Sequence, residues 1–163
     1  MVHALKAIDH GLGQQLRVAV VHDGARLHYA IPLALQRIGI LDRVYCDWYA
    51  PPRSALRGVS YLIRLARADL GKRMLARYAA GLDRARVRTN PWLTYRQYRR
   101  RNRFPTQRDF YLWASADMAR WVERVGLGAA NTLCGFIRNI DPDLVAYARH
   151  RGLRTVADQY IAP

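Results

Sequence analysis

The sequence predicts an α/β fold, a parallel sheet flanked by helices, with a basic helical region in its middle. Three observations lead there. Residues 16–21 read L-R-V-A-V-V, a short Val-rich run of the kind that forms a strand covered on both faces. Directly after it the apolar positions change to helical spacing, at Leu27, Ala30, Ile31, Ala34, Leu35 and Ile38. The same order, strand then helix then strand, returns near the other end of the chain.

The elements follow in turn. His22-Asp23-Gly24 interrupts the first strand. Pro32 belongs to the first turn of the next helix, where its missing N–H costs little, and Gly39 is placed to end that helix. Val44, Tyr45 and Cys46 supply a second short strand, closing at Asp47. A right-handed crossover makes the two strands parallel. Residues 131–136, N-T-L-C-G-F, predict a later strand. Asp141 is suited to cap the helix that follows and Pro142 to open it. Leu144, Val145, Tyr147 and Ala148 give that helix its buried side, and Gly152 ends it. Residues 154–160 form the last strand.

The middle has another texture. Across residues 56–80, Leu62, Leu65, Ala66, Leu70, Met74, Leu75 and Tyr78 recur at helical spacing between basic residues. That predicts one amphipathic helix or a helical pair, with Gly71 as a break. Asn90-Pro91 marks a turn. Residues 110–125 predict a further helix, with Leu112, Trp113, Ala116, Ala119, Trp121 and Val122 on its apolar side. There is no internal repeat. The expected organisation is a flexible extension over residues 1–15 and one domain over residues 16–163, with the basic helical region at 53–108.

Charge is concentrated in that region. The chain of 163 residues has a formal net charge of +15, from 25 Arg and 2 Lys against 11 Asp and 1 Glu. Residues 53–108 alone carry +14, and nine arginines fall between positions 84 and 108 without an acid. Arginine is a planar, bidentate donor suited to phosphate and carboxylate. Trp92, Tyr95, Tyr98 and Phe104 are interleaved with Arg96, Arg99, Arg100, Arg101 and Arg103. Such a field fits an anionic membrane surface, a phosphorylated ligand or nucleic acid. It fits equally a solvated face whose aromatics pack inward. No helix-turn-helix, zinc or aromatic-sheet motif accompanies the arginines, which places nucleic acid behind the other partners.

Several function classes find no support. Cys46 and Cys134 sit in strand-like stretches without a third ligand at metal spacing, so a reduced, buried pair is expected and no metal site. No signal peptide is evident in residues 1–15, and no apolar run approaches a spanning length, so a cytoplasmic location is the expectation. No Ser-His-Asp, Cys-His or paired-Glu arrangement stands out. No catalytic residue is nominated.

The binding candidates cluster behind the strands, where ligands of open α/β sheets usually sit. Gly24 permits a tight turn, and N–H groups at the start of the next helix suit a phosphate, carboxylate or sugar hydroxyl. This is neither the three-glycine dinucleotide fingerprint nor the lysine-bearing phosphate loop. His22, Asp23, Gly24, Arg26, His28 and Tyr29 are the candidates of this loop, against a purely geometric glycine and a structural histidine. Behind the second strand, Asp47 and Tyr49 suit sugar hydroxyls and Trp48 suits stacking, while packing alone explains them as well. Asp158 and Gln159 close the set: a carboxylate in such a strand needs a partner or water.

Residues 18–51, V-A-V-V-H-D-G-A-R-L-H-Y-A-I-P-L-A-L-Q-R-I-G-I-L-D-R-V-Y-C-D-W-Y-A-P, resemble the start of family 4 glycosyltransferases of the GT-B fold. Residues 147–163, Y-A-R-H-R-G-L-R-T-V-A-D-Q-Y-I-A-P, look like the segment in which that family runs a helix into a later strand of its first domain. The resemblance implies a Rossmann-like domain, the N-terminal half of a GT-B architecture, which receives a glycan or lipid-linked acceptor. By it, Gly24 and its neighbours match the first glycine loop of the cleft, and Asp158-Gln159 falls in a strand facing it. The family's donor is a nucleotide-sugar, held mainly by a second domain that this sequence lacks, and no bound metal or other cofactor is needed. The expectation is therefore an acceptor-side portion, inactive alone, completed by a donor-binding domain on another chain. Basic amphipathic helices touching an anionic membrane are also implied. The alternative is a small non-enzymatic basic α/β module that binds nucleic acid or another anion.

Overall fold

The computed structural model describes residues 15–22, 24, 29–136 and 140–158. Its frame is a parallel sheet of five strands: β1 (Val18–His22), β2 (Leu41–Cys46), β3 (Val87–Thr89), β4 (Thr132–Phe136) and β5 (Arg154–Asp158). They lie in the order β3-β2-β1-β4-β5, every neighbouring pair parallel. The helices are α1 (Ala30–Arg37), α2 (Ala55–Ala66), α3 (Ala68–Leu75), α4 (Pro91–Arg100), α5 (Gln107–Val125) and α6 (Pro142–His150). This is a Rossmann-like α/β fold, as the strand–helix–strand pattern predicts.

β1 is central, and its five residues are all buried. Alternation sends Val18 and Val20 to one face, where they pack with Tyr29, Leu41, Val44 and Cys46. Ala19 and Val21 go to the other, packing with Val122, Leu133 and Leu144 beneath α5 and α6. The cap at Asp141 forms as expected, its Oδ1 accepting the Asp143 N–H at 2.9 Å. Thr106, which the apolar spacing does not reveal, caps α5 through the Asp109 N–H at 3.1 Å, so that helix starts before residue 110.

The basic middle departs from expectation in three ways. It is not wholly helical, because Val87–Thr89 completes the sheet as β3, with Val44 opposite Val87 and Cys46 opposite Thr89. The break between its helices lies at Arg67, whose φ of −147° and ψ of 86° stop α2, and not at Gly71. Gly71 sits inside α3, where a Cβ would lie 2.4 Å from the backbone of Arg64; its role is a close helix crossing. Leu62, Leu65 and Leu112 are not core residues either, being 67%, 86% and 57% exposed. α2 instead turns Leu56, Ser60 and Ile63 inward, towards Trp48, Ala50 and Met74.

Neither cysteine forms a disulfide. Cys46 is buried, but Cys134 is only half-buried, which corrects the expected buried pair. Cys134 stands in register with Val20 and Val156, and Val156 at the sheet margin is itself half exposed. Residues 1–14 of the expected extension lie outside the described residues.

Candidate functional site

The strand order reverses between β1 and β4, and the carboxyl edge beside that point is the usual ligand crevice of such sheets. β1 delivers His22 there and β2 delivers Asp47. Gly24, at φ +75°, turns the chain sharply enough for its N–H to meet Asp47 Oδ1 at 3.0 Å. The His22 Nδ1–H donates to the Gly24 carbonyl at 2.8 Å, a carbonyl being able only to accept.

Asp47 is the hub of this edge. Its second oxygen, Oδ2, accepts from the Arg77 guanidinium and from Thr94 Oγ1, the latter at 3.0 Å. Its main-chain carbonyl accepts from Thr89 Oγ1 at 3.4 Å. The carboxylate is 1% exposed, so desolvation is offset by a cation and two neutral donors. The β1 loop, the end of β2, the chain after α3 and the first turns of α4 are thus fixed to one side chain. Arg77 and Thr94 were not visible as partners in the sequence, since neither stands at a spacing that ties it to a strand end.

Tyr29 precedes α1 in a left-handed conformation, φ 62° and ψ 27°, which a bulky residue adopts only under constraint. Two contacts supply the constraint: its ring stacks on His22 at 5.4 Å, and its hydroxyl donates to the Trp48 carbonyl at 3.2 Å. Burial, followed by the Cys46 and Asp47 charges, pushes the Tyr29 hydroxyl far up, so it stays protonated. Burial likewise pushes the Cys46 thiol up, with Asp47 adding to the shift, which makes it a poor nucleophile. Tyr49, with its hydroxyl on the Ala79 carbonyl at 3.2 Å, is pushed up to about 12 by burial.

Trp48 faces inward. It is 4% exposed and its indole N–H donates to Ser60 Oγ at 3.2 Å, so its ring packs protein and is not offered to a sugar. The structure brings His22, Gly24, Tyr29, Asp47 and Trp48 together at one edge. Asp158 ends β5 opposite Phe136, one strand beyond β4. Asp23, Arg26, His28 and Gln159 lie outside the described residues.

The arginines of the middle region divide into two kinds. Arg96 is internal in function: its guanidinium holds the buried Asp117 of α5 at 2.7 Å and so clamps α4 to α5. Arg99, Arg100, Arg101 and Arg103 are exposed, Arg100 lying 5.3 Å above the Trp113 ring. Trp92 and Tyr95 stack on each other at 4.8 Å while both stay about half exposed. No group of His, Cys, Asp and Glu among the described residues is arranged to hold a metal ion.

No protein-family model, no curated protein and no solved structure matches the chain. What the edge can do is set by its own geometry. Asp47 is engaged by three donors and positions the loops, and the Gly24 N–H and carbonyl are both in use. The edge is a braced corner, with no activated nucleophile among its described residues.

Proposed function

We propose that this chain is the acceptor-side domain of a GT-B glycosyltransferase, receiving a glycan or lipid-linked acceptor against the carboxyl edge of its sheet. The nucleotide-sugar is then a substrate held mainly by a donor-binding domain, on this or another chain. The observation that carries the reading is the corner in which Gly24, at the end of the central strand, is fixed to Asp47 at the end of the next. It braces the glycine loop at the topological switch point, where α/β sheets take their ligands. Buried and engaged by three protein donors, Asp47 serves to position the glycine loop and is unsuited as a general base.

The chain incubated with labelled nucleotide-sugars and a panel of glycan and polyprenyl-phosphate-sugar acceptors is expected to give no transfer by itself. Saturation-transfer NMR on the same mixtures is expected to detect acceptor glycans, with Gly24→Val weakening that signal. Binding of nucleotide-sugars without any acceptor signal would overturn the assignment.

A further inference from the structure

The sheet has two margins of opposite character. β3, in the basic middle region, closes one and β5 closes the other, and among the described residues no strand pairs with the outer side of β5. Such a margin offers a row of backbone groups to another strand. The Arg154 N–H points inward, to the Asn131 carbonyl at 3.0 Å. Alternation along the strand then turns the N–H and C=O groups of Thr155 and Ala157 outward. Val156 stands in register with Cys134 and, through it, with Val20, on the face of the sheet away from α6, and it is 50% exposed there.

The strand is also complementary to itself. It reads R-T-V-A-D, a cation at its first position, an acid at its last and Val156 midway. In an antiparallel pair centred on Val156, position 154 of each copy stands opposite position 158 of the other. Thr155 then stands opposite Ala157, where the outward backbone groups exchange hydrogen bonds, and positions 154 and 158 meet in the closer, non-hydrogen-bonded pairs. Opposite charges directly across two strands stabilise them. Centring the pair on Thr155 or Ala157 instead sets Val156 against a charged residue. A charge in an edge strand ordinarily deters pairing, but here one register turns both charges into attractions. The wider charge distribution favours the same joint. Residues 109–163 hold six basic and six acidic side chains, whereas residues 53–108 carry +14. Pairing through β5 joins the balanced margins and keeps the two basic regions, on the β3 side, away from each other.

We propose that β5 is the joint of a homodimer, in which two copies pair their β5 strands antiparallel about a two-fold axis at Val156 and so continue one sheet through both. A strand of another protein with one sign of charge would satisfy one end of β5, whereas a second copy satisfies both. The joint does not rest on the transferase reading: oligomeric state is measured with no sugar present.

The test is sedimentation velocity of the full chain over a dilution series from about 100 to 1 μM, because so short a joint makes a dimer that dissociates on dilution. The wild-type chain is expected to dimerise at the concentrated end. Arg154→Asp sets acid against acid at both ends of the joint and is expected to weaken the dimer about tenfold or more. Exchanging the two charges, Arg154→Asp with Asp158→Arg, is expected to restore it. Arg154 is exposed, so the fold survives its substitution, and unchanged circular dichroism verifies this; Arg154→Ala gives a second, milder variant. The proposal fails if the wild-type chain stays monomeric throughout, if Arg154→Asp leaves the dimer intact, or if the exchange does not restore it. A dimer dissolved by Leu62→Gln with Leu65→Gln would place the joint on the exposed leucines of α2 and overturn it as well.

Discussion

Asp47 and Arg77 form an ion pair at the carboxyl edge of the sheet, the carboxylate 1% and the guanidinium 25% exposed. It ties the end of β2 to the chain that leaves α3, and the Ala50 N–H adds a second tie to the Arg77 carbonyl at 2.8 Å.

Breaking one side of this pair leaves the other charge stranded. Asp47→Ala also removes the acceptor of the Gly24 N–H and of Thr94, so a loss of about 3–5 kcal/mol is expected in denaturant unfolding. Adding Arg77→Met to that variant recovers part of the loss. A double-mutant cycle that is merely additive would show that the two side chains do not couple.

Gly71 is expected to tolerate no side chain. In Gly71→Ala the new Cβ meets the backbone of Arg64, which cannot swing away, so the α2–α3 crossing must open. Overpacking of this kind costs about 1–3 kcal/mol. The same substitution at Gly58, with nothing within 4 Å of its Cβ position, stabilises or is neutral in a thermal melt.

Stability falls at high pH through the buried tyrosines. Tyr49 is raised from 10.0 to about 12, and Tyr29 and Tyr45 are raised as well, all chiefly by burial. A group whose folded value is raised holds its proton more tightly when folded. Its stabilisation is complete below pH 10 and is lost as pH climbs through the folded value. Tyrosinate absorbance from these three residues should rise together with loss of circular dichroism above pH 10, and Tyr49→Phe should shift that transition upward.

The two thiols should react in sequence. Cys134 is half-buried, whereas Cys46 is fully buried with its thiol pushed up. A thiol reagent is therefore expected to modify Cys134 first in the native state and Cys46 only on unfolding. Equal rates for Cys134→Ser and Cys46→Ser proteins would contradict this.

The two ends of the fold were legible because short apolar strands alternate there with helical periods bounded by turn residues, Gly24 and Gly39 at one end and Asp141-Pro142 and Gly152 at the other. β3 was not, since it is three residues long among arginines and only Val87 is buried. Its strand character comes from pairing with β2. α2 misled for the opposite reason: its apolar arc is wide, running from Leu56 and Ile63 through Val59 to Leu62 and Leu65, so spacing identifies a helix but not which part of that arc packs on Trp48, Ala50 and Met74. At the site, His22, Gly24 and Asp47 could be nominated from their place behind strands. Arg77 and Thr94 reach the same carboxylate through tertiary packing, which leaves no period in the sequence.

The position of β1 has a consequence for how the protein comes into being. Its only early neighbour is β2; its other side waits for β4, and Arg17 and Asn131, hydrogen-bonded at the base of that pairing, are 114 positions apart. On a ribosome β1 emerges before the four strands it shares the sheet with, and one of its sides stays unpaired until β4 has been made. Contacts of such long range slow folding and leave a sticky edge open meanwhile. Nascent chains halted before residue 132 are thus the species that a chaperone would have to shield.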